Sequence, residues 1–123
     1  NRSSGMRNFR DLTIWKDSIS FTTDIYKLVK VFPSHEKFGL TSQLTRCAVS
    51  IPSNIAEGCK GSNKELINYL NISLGSTFEL ETQLIISHNI GFIDEKAFQK
   101  INNRLKPLQK SINAFRTSVK RLE

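Results

Sequence analysis

Chain-breaking residues are scarce in this sequence, and their positions decide what it can fold into. The 123 residues include six Gly and three Pro, too few for a turn-rich all-β fold. The breaks gather at Phe32-Pro33-Ser34, at Glu57-Gly58-Cys59-Lys60-Gly61-Ser62 and at Gly91-Phe92-Ile93-Asp94. Four segments of roughly 20–30 residues lie between them, each with apolar residues at helical spacing. Short connections place consecutive helices antiparallel. The reading is all-α: an antiparallel up-down-up-down four-helix bundle, with helices near 12–31, 36–57, 63–89 and 95–121, give or take about 2–4 residues. It forms one domain over 6–123. Asn1-Arg2-Ser3-Ser4-Gly5 precede Met6 and read as a cloning remnant.

The four segments differ in how their apolar residues are arranged. In the first, Leu12, Ile14, Trp15, Ile19, Phe21, Ile25, Tyr26, Leu28 and Val29 fill half of a helical wheel. In the second, Leu40, Leu44, Cys47, Ala48, Ile51 and Ile55 form one stripe. Ser34 is expected to cap it. Pro52 removes the amide that would bond Ala48 and predicts a kink or short break. The third opens on the capping box Ser62-Asn63-Lys64-Glu65. It is apolar nearly all round, with Leu66, Leu70, Leu74, Leu84 and Ile85 on one side and Tyr69, Ile72, Leu80, Ile86 and Ile90 on much of the rest. One helix of a small bundle cannot bury its whole circumference, which implies a subunit interface. The first helix, with Trp15, is a second contributor. The fourth, capped by Asp94, confines Ala97, Phe98, Ile101, Leu105, Leu108, Ile112, Phe115, Val119 and Leu122 to an arc of about 120°. Pro107 predicts a slight bend in it.

Charge is distributed unevenly. Residues 1–95 hold ten Lys/Arg and ten Asp/Glu, while 96–123 hold eight Lys/Arg and only Glu123, so the net +7 sits in the last segment. Lys96, Lys100, Arg104, Lys106, Lys110 and Arg121 lie opposite its apolar arc. A localised excess of positive charge favours an anionic partner. A solvated helix face that keeps the protein soluble is the alternative. Net neutrality elsewhere leaves no competing anion site. No apolar run reaches the ~18 residues of a membrane span, and no signal peptide opens the chain. Two unpaired thiols, Cys47 and Cys59, fit a reducing cytoplasm and a packing role. Twelve residues apart on one helix, they sit about 18 Å from each other, beyond disulfide reach.

Motifs for catalysis and metal binding are missing from the pattern. His35 and His88 have no Cys, His or carboxylate at ligand spacing. Glu79 and Glu81 point to different faces of a helix. No phosphate loop, dinucleotide fingerprint or nucleophile elbow is present. The expectation is a protein that is not an enzyme, with no cofactor, metal, membrane contact or small-molecule substrate. A polar line, Arg46, Ser50, Ser53 and Glu57, faces a second one, Gly75, Ser76, Glu79 and Gln83. It is read as a buried network, with Arg46 paired to Glu79.

Four stretches carry a family resemblance. They are Phe9-Arg10-Asp11-Leu12-x-x-Trp15, Phe32-Pro33-x-x-Glu36-x-Phe38-Gly39-Leu40-x-x-Gln43-Leu44-x-Arg46, Ser50-Ile51-Pro52-x-Asn54-Ile55-Ala56-Glu57-Gly58 and Gly75-Ser76-x-x-Glu79-Leu80-Glu81-Thr82-Gln83-Leu84. Together they resemble the four-helix-bundle proteins encoded in intervening sequences of bacterial 23S rRNA genes, a family related to the accessory proteins of diversity-generating retroelements. The resemblance implies an up-down bundle, a ring-like pentamer and a nucleic-acid partner, with no catalytic residues assigned. Two functions therefore stand side by side. One is a homo-oligomer that binds RNA or DNA backbone through the basic last helix. The other is an oligomeric scaffold for a nucleic-acid-processing enzyme, without direct contact to nucleic acid.

Overall fold

The computed structural model describes residues 6–123, so the remnant assigned to 1–5 lies outside the described residues. It contains four α-helices: α1 (Thr13–Leu28), α2 (Leu40–Gly58), α3 (Asn63–Asn89) and α4 (Glu95–Lys120). No strand occurs among the described residues. None of these helices is long and apolar enough to cross a membrane. The cross-helix bonds run in opposite order along the two helices of each pair: Ser73 to Ile51 and Ser50 to Ser76 between α2 and α3, Arg116 to Asn71 and Lys106 to Glu81 between α3 and α4. Neighbouring helices are thus antiparallel, and the four enclose one core. Phe21, Ile25, Leu44, Ile51, Ile55, Leu66, Leu70, Leu80, Leu84, Leu105 and Ile112 are fully buried in it, each contributing about 1.5–3 kcal/mol through burial.

Helix ends follow side-chain chemistry, with one departure from expectation. Ser62 Oγ accepts from the Glu65 amide at 3.2 Å and Glu65 Oε1 accepts from the Ser62 amide at 2.9 Å, the reciprocal box anticipated. The Ser62 amide, and then the Ser62 hydroxyl at 3.2 Å, donate to the ionised Glu65 carboxylate and hold it below its usual range. Asp94 Oδ1 accepts from the Ala97 amide at 2.8 Å and starts α4. Ser34 does not cap α2. It opens a single 3-10 turn, Ser34–Glu36, and the α-helix begins only at Leu40. The reason is Glu36, whose Oε1 reaches the free Leu40 amide at 3.0 Å. The end of α1 likewise tightens into a 3-10 turn, Val29–Val31.

Pro52 does not break α2, which runs continuously from Leu40 to Gly58. The amide lost at position 52 leaves Ala48 O without its helical donor. Thr22 Oγ1 of α1 supplies the replacement at 3.0 Å, in a buried position. The same hydroxyl lies 2.7 Å from Ser18 O in its own preceding turn, so its one proton is shared between the two carbonyls. Pro107 is also accommodated within a continuous helix.

Candidate nucleic-acid interface

The last helix meets the core through its narrow apolar arc and turns its basic side outward. Ile101, Leu105, Leu108, Ile112 and Val119 are buried, and Leu122 lies past the helix end, exposed. Lys96, Lys100, Arg104, Lys106, Lys110 and Arg121 are all exposed. They are not equivalent, however. Arg104 forms an ion pair with Asp24 of α1 and bonds Ser20 Oγ at 3.1 Å. Lys106 pairs with Glu81 of α3. Gln109, also on α4, donates to the same carboxylate at 3.0 Å. These donors, Gln109 first and then Lys106, pull the Glu81 carboxyl below its usual range. Arg116 donates to Asn71 Oδ1 of α3 at 2.7 Å.

The helical rotation of 100° per residue explains the division. Arg104 and Lys106 sit at the two borders of the basic sector, where long side chains reach the acids of α1 and α3. Lys96, Lys110 and Arg121 sit along its centre line, and Lys100 lies between that line and the α1 border. None of these four has an ion-pair partner among the described residues. The strip anticipated from sequence is therefore four free cations flanked by tethered ones. At a rise of 1.5 Å per residue, the line from Lys96 to Arg121 covers about 37 Å.

A second basic cluster escapes a count made along the sequence. Arg7, Arg10 and Lys60 surround a depression of about 400 Å3 where the N-terminal arm meets the end of α2. The arm is anchored by the Arg7 amide, which donates to Cys59 O at 2.9 Å. The Arg7 guanidinium donates to Asn63 Oδ1 at 2.8 Å and lies 5.9 Å from the Phe115 ring centre. Lys60 is paired to Glu57. Neutral totals over 1–95 conceal this local cluster, because only the fold brings Arg7 and Lys60 together.

The polar network between α2 and α3 exists, but not with the members expected. Arg46, Glu57 and Glu79 are exposed in the single chain, and no Arg46–Glu79 ion pair forms among the described residues. Glu57 turns to Lys60 instead, at 3.2 Å. Burying such charges is costly, and both Arg46 and Glu79 sit on the outer lip of a notch of about 360 Å3. Short side chains occupy the inner positions. Ser50 Oγ donates to Ser76 Oγ at 2.7 Å, Cys47 Sγ to Ser76 O at 3.1 Å and Ser73 Oγ to Ile51 O at 3.0 Å. Burial, reinforced by the Glu79 carboxylate, pushes the Cys47 thiol up to about 12. That thiol is held protonated and serves as a donor. Cys59 is also buried, and burial raises it too, against an opposing pull from Arg7.

The outer face of α3 carries large apolar side chains among polar ones such as Asn71, Glu79 and Thr82, and Ile90 follows just past its end. Ile72, Phe78, Ile85, Ile86 and Ile90 are between 42% and 54% exposed. No group of three His, Cys, Asp or Glu able to hold a metal occurs among the described residues.

The family model described as 23S rRNA-intervening sequence protein matches residues 10–114. The chain belongs to that family. No match was found among curated proteins. A solved structure similar to this intervening-sequence protein is that of a Bacteroides thetaiotaomicron protein with unknown function from the S23 ribosomal protein family. It is 27% identical, with a TM-score of 0.78 over 85% of this chain and 95% of that one. The geometry gives the residues of one stretch that carries the resemblance a packing role. In Ser50-Ile51-Pro52-x-Asn54-Ile55-Ala56-Glu57-Gly58, Ser50 bonds α3, Pro52 creates the acceptor for Thr22, Asn54 donates to Ser50 O at 2.7 Å and Gly58 lets Tyr69 approach. Within the matched residues, this stretch serves the packing of α2 against α1 and α3.

Proposed function

We propose that this intervening-sequence protein is a non-enzymatic, homo-oligomeric nucleic-acid-binding protein that meets the RNA or DNA backbone through α4. The observation that carries the reading is the line of four cations, Lys96, Lys100, Lys110 and Arg121, exposed and without internal partners. Each would meet a phosphate at small desolvation cost and release its counterions. Phe98 and Phe115 of α4 are half-buried against the core, so bases have no aromatic platform there. Backbone recognition with weak sequence preference fits this surface.

Oligomerisation is supported by the apolar side chains on the outer face of α3. Four large side chains exposed along α3, with Ile90 just past its end, favour burial against a second copy. The up-down pentamer belongs to this reading, as does a cytoplasmic location. Assembly would repeat the basic line and strengthen its field.

An electrophoretic shift over a salt series tests the contact. The expected result is a fall in log K with log salt of about −0.9 per duplex phosphate engaged. Lys110→Glu with Arg121→Glu should weaken binding to every sequence alike and flatten the slope, with the melting temperature changed little. No shift with any RNA or DNA at low salt overturns direct binding and leaves the scaffold for a processing enzyme. Light scattering on the same sample tests assembly. A wild-type chain that is monomeric at micromolar concentration overturns the oligomer.

A further inference from the structure

The end of the bundle where α1 stops and α4 starts holds a groove of about 880 Å3. The last turns of α1, the connection after α3 and the first three turns of α4 wall it. Ile93 and Ile101, only 3% and 5% exposed, form its floor, with Leu28, Phe92 and Ala97 beside them. Val31 stands on its lip, 71% exposed. This is apolar surface at a seam that elsewhere is closed: the Arg104–Asp24 ion pair ties α1 to α4 at the inner end of the groove.

The charges around the groove are not balanced once their bonds are counted. Asp24 is neutralised by Arg104; Asp94 bonds the Ala97 amide and keeps its charge, so one carboxylate stands against two lysines. Lys27 on α1 and Lys100 on α4 are exposed, and neither has an ion-pair partner among the described residues. An occupant must therefore offer apolar side chains to the floor and carboxylates to the lysines on both walls. The trough is open to solvent, whereas small-molecule sites enclose about 70–90% of their ligand. Its α4 wall runs from Asp94 to Arg104, about 15 Å at 1.5 Å per residue. That is nearly three helical turns, enough for anchors at i, i+4 and i+7.

We infer that this groove docks an acidic amphipathic helix of a partner protein, with its apolar stripe on Phe92, Ala97 and Ile101 and flanking Asp or Glu side chains on Lys27 and Lys100. The inference is independent of nucleic-acid binding by α4, and only Lys100 is common to both surfaces.

The test is a display selection against the full chain, using 14-residue amphipathic peptides with fixed apolar anchors and randomised flanking positions. The expected result is enrichment of Asp and Glu at the flanks and micromolar binding, with methyl shifts at Val31, Ala97 and Ile101 in the labelled chain. Binding should weaken at least tenfold against the Lys27→Glu, Val31→Asp chain and stay unchanged against Lys110→Glu, Arg121→Glu. Lys27 and Val31 are exposed, so circular dichroism should show the groove variant folded; Lys27→Gln alone, expected to weaken binding severalfold, serves as the second variant. Selected peptides without acidic flanks, binding that survives the groove variants, or no selected binder would each overturn the inference. Dodecanoate binding in the groove where peptides fail would overturn it in favour of a small amphiphile.

Discussion

The seams of α2 and the seams of α4 are closed in opposite ways. Along α2, short side chains bond directly to backbone or to one another: Thr22 to Ala48, Ser73 to Ile51, Cys47 and Ser50 to Ser76. Gly58 completes this seam by removing a side chain altogether. Along α4, long side chains reach across: Arg104 to Asp24, Lys106 to Glu81, Gln109 to Glu81, Arg116 to Asn71. Short bridges hold helices close and leave only the notch of about 360 Å3 beside Arg46 and Glu79. Long bridges tolerate distance, leave a groove beside α1 and leave the charges on the α4 centre line unspent. The basic line and the groove beside α1 lie on its loosely closed side.

Gly58→Ala is the strongest test of that contrast. In an open helix the change stabilises by about 0.5–1 kcal/mol. Here an added Cβ would lie 2.8 Å from Tyr69 Cβ and 3.0 Å from Leu66 Cδ1. The Tyr69 atom is at the root of its side chain and cannot swing away, so α3 itself must shift. Destabilisation of roughly 1–3 kcal/mol is expected, a drop of about 4–8 °C in Tm for each kcal/mol. A higher Tm would show that α2 and α3 are not in close contact.

Thr22→Val comes next. It preserves shape and removes the donor to Ala48 O, leaving a buried carbonyl without a partner at a cost of about 1–2 kcal/mol. The diagnostic is the pair with Pro52→Ala, which returns an amide to position 52. In the Pro52→Ala background Thr22→Val should cost markedly less, a coupling that a double-mutant cycle on urea midpoints would read directly. Additive effects would mean that Thr22 does not act through the proline.

The contrast between seams also explains which parts of the molecule are legible in sequence. Helical period reports which residues face a core, so the four helices, the Ser62 and Asp94 caps and the α4 arc are readable from one strand of text. Partner choice is not. Thr22 and Ala48 are 26 residues apart, and nothing local marks Thr22 as the remedy for Pro52. The start of α2 depends on whether Ser34 or Glu36 reaches a free amide, a matter of turn geometry rather than residue type. For the basic strip the wheel gives exposure, but it does not show that Asp24 and Glu81 would tether Arg104 and Lys106. Arg46 and Glu79 share the notch, yet their exposure is settled by how closely two backbones approach. That approach is set by Gly58, Ser50 and Ser76.

Asp24→Asn probes the loose side. Its ion pair with Arg104 has side chains 34% and 41% exposed, so solvent screens it and a loss of about 0.2–1 kcal/mol is expected. The loss should shrink in high salt, unlike that of Gly58→Ala. Equal or greater destabilisation than Gly58→Ala, measured by thermal melting at two salt concentrations, would invert the ranking of the two seams.

Glu81→Gln should have the smallest effect, and its pH dependence is its signature. The Glu81 carboxyl titrates below the ordinary value of 4.5 because Gln109 and then Lys106 donate to its ionised form. A group depressed on folding contributes stability that is complete above its unfolded pKa and lost as pH falls through its folded one. The wild-type advantage over Glu81→Gln should therefore be greatest near neutrality, at about 0.5 kcal/mol or less for a pair this open to solvent. It should begin to close below pH 4.5 and vanish once the carboxyl is protonated in both states. Thermal melts of the two chains between pH 7 and pH 3 would show the curves converging. Curves that stay parallel would mean that Lys106 is not bound to an ionised carboxylate. Lys106 would then join Lys96, Lys100, Lys110 and Arg121 as a fifth free cation on α4.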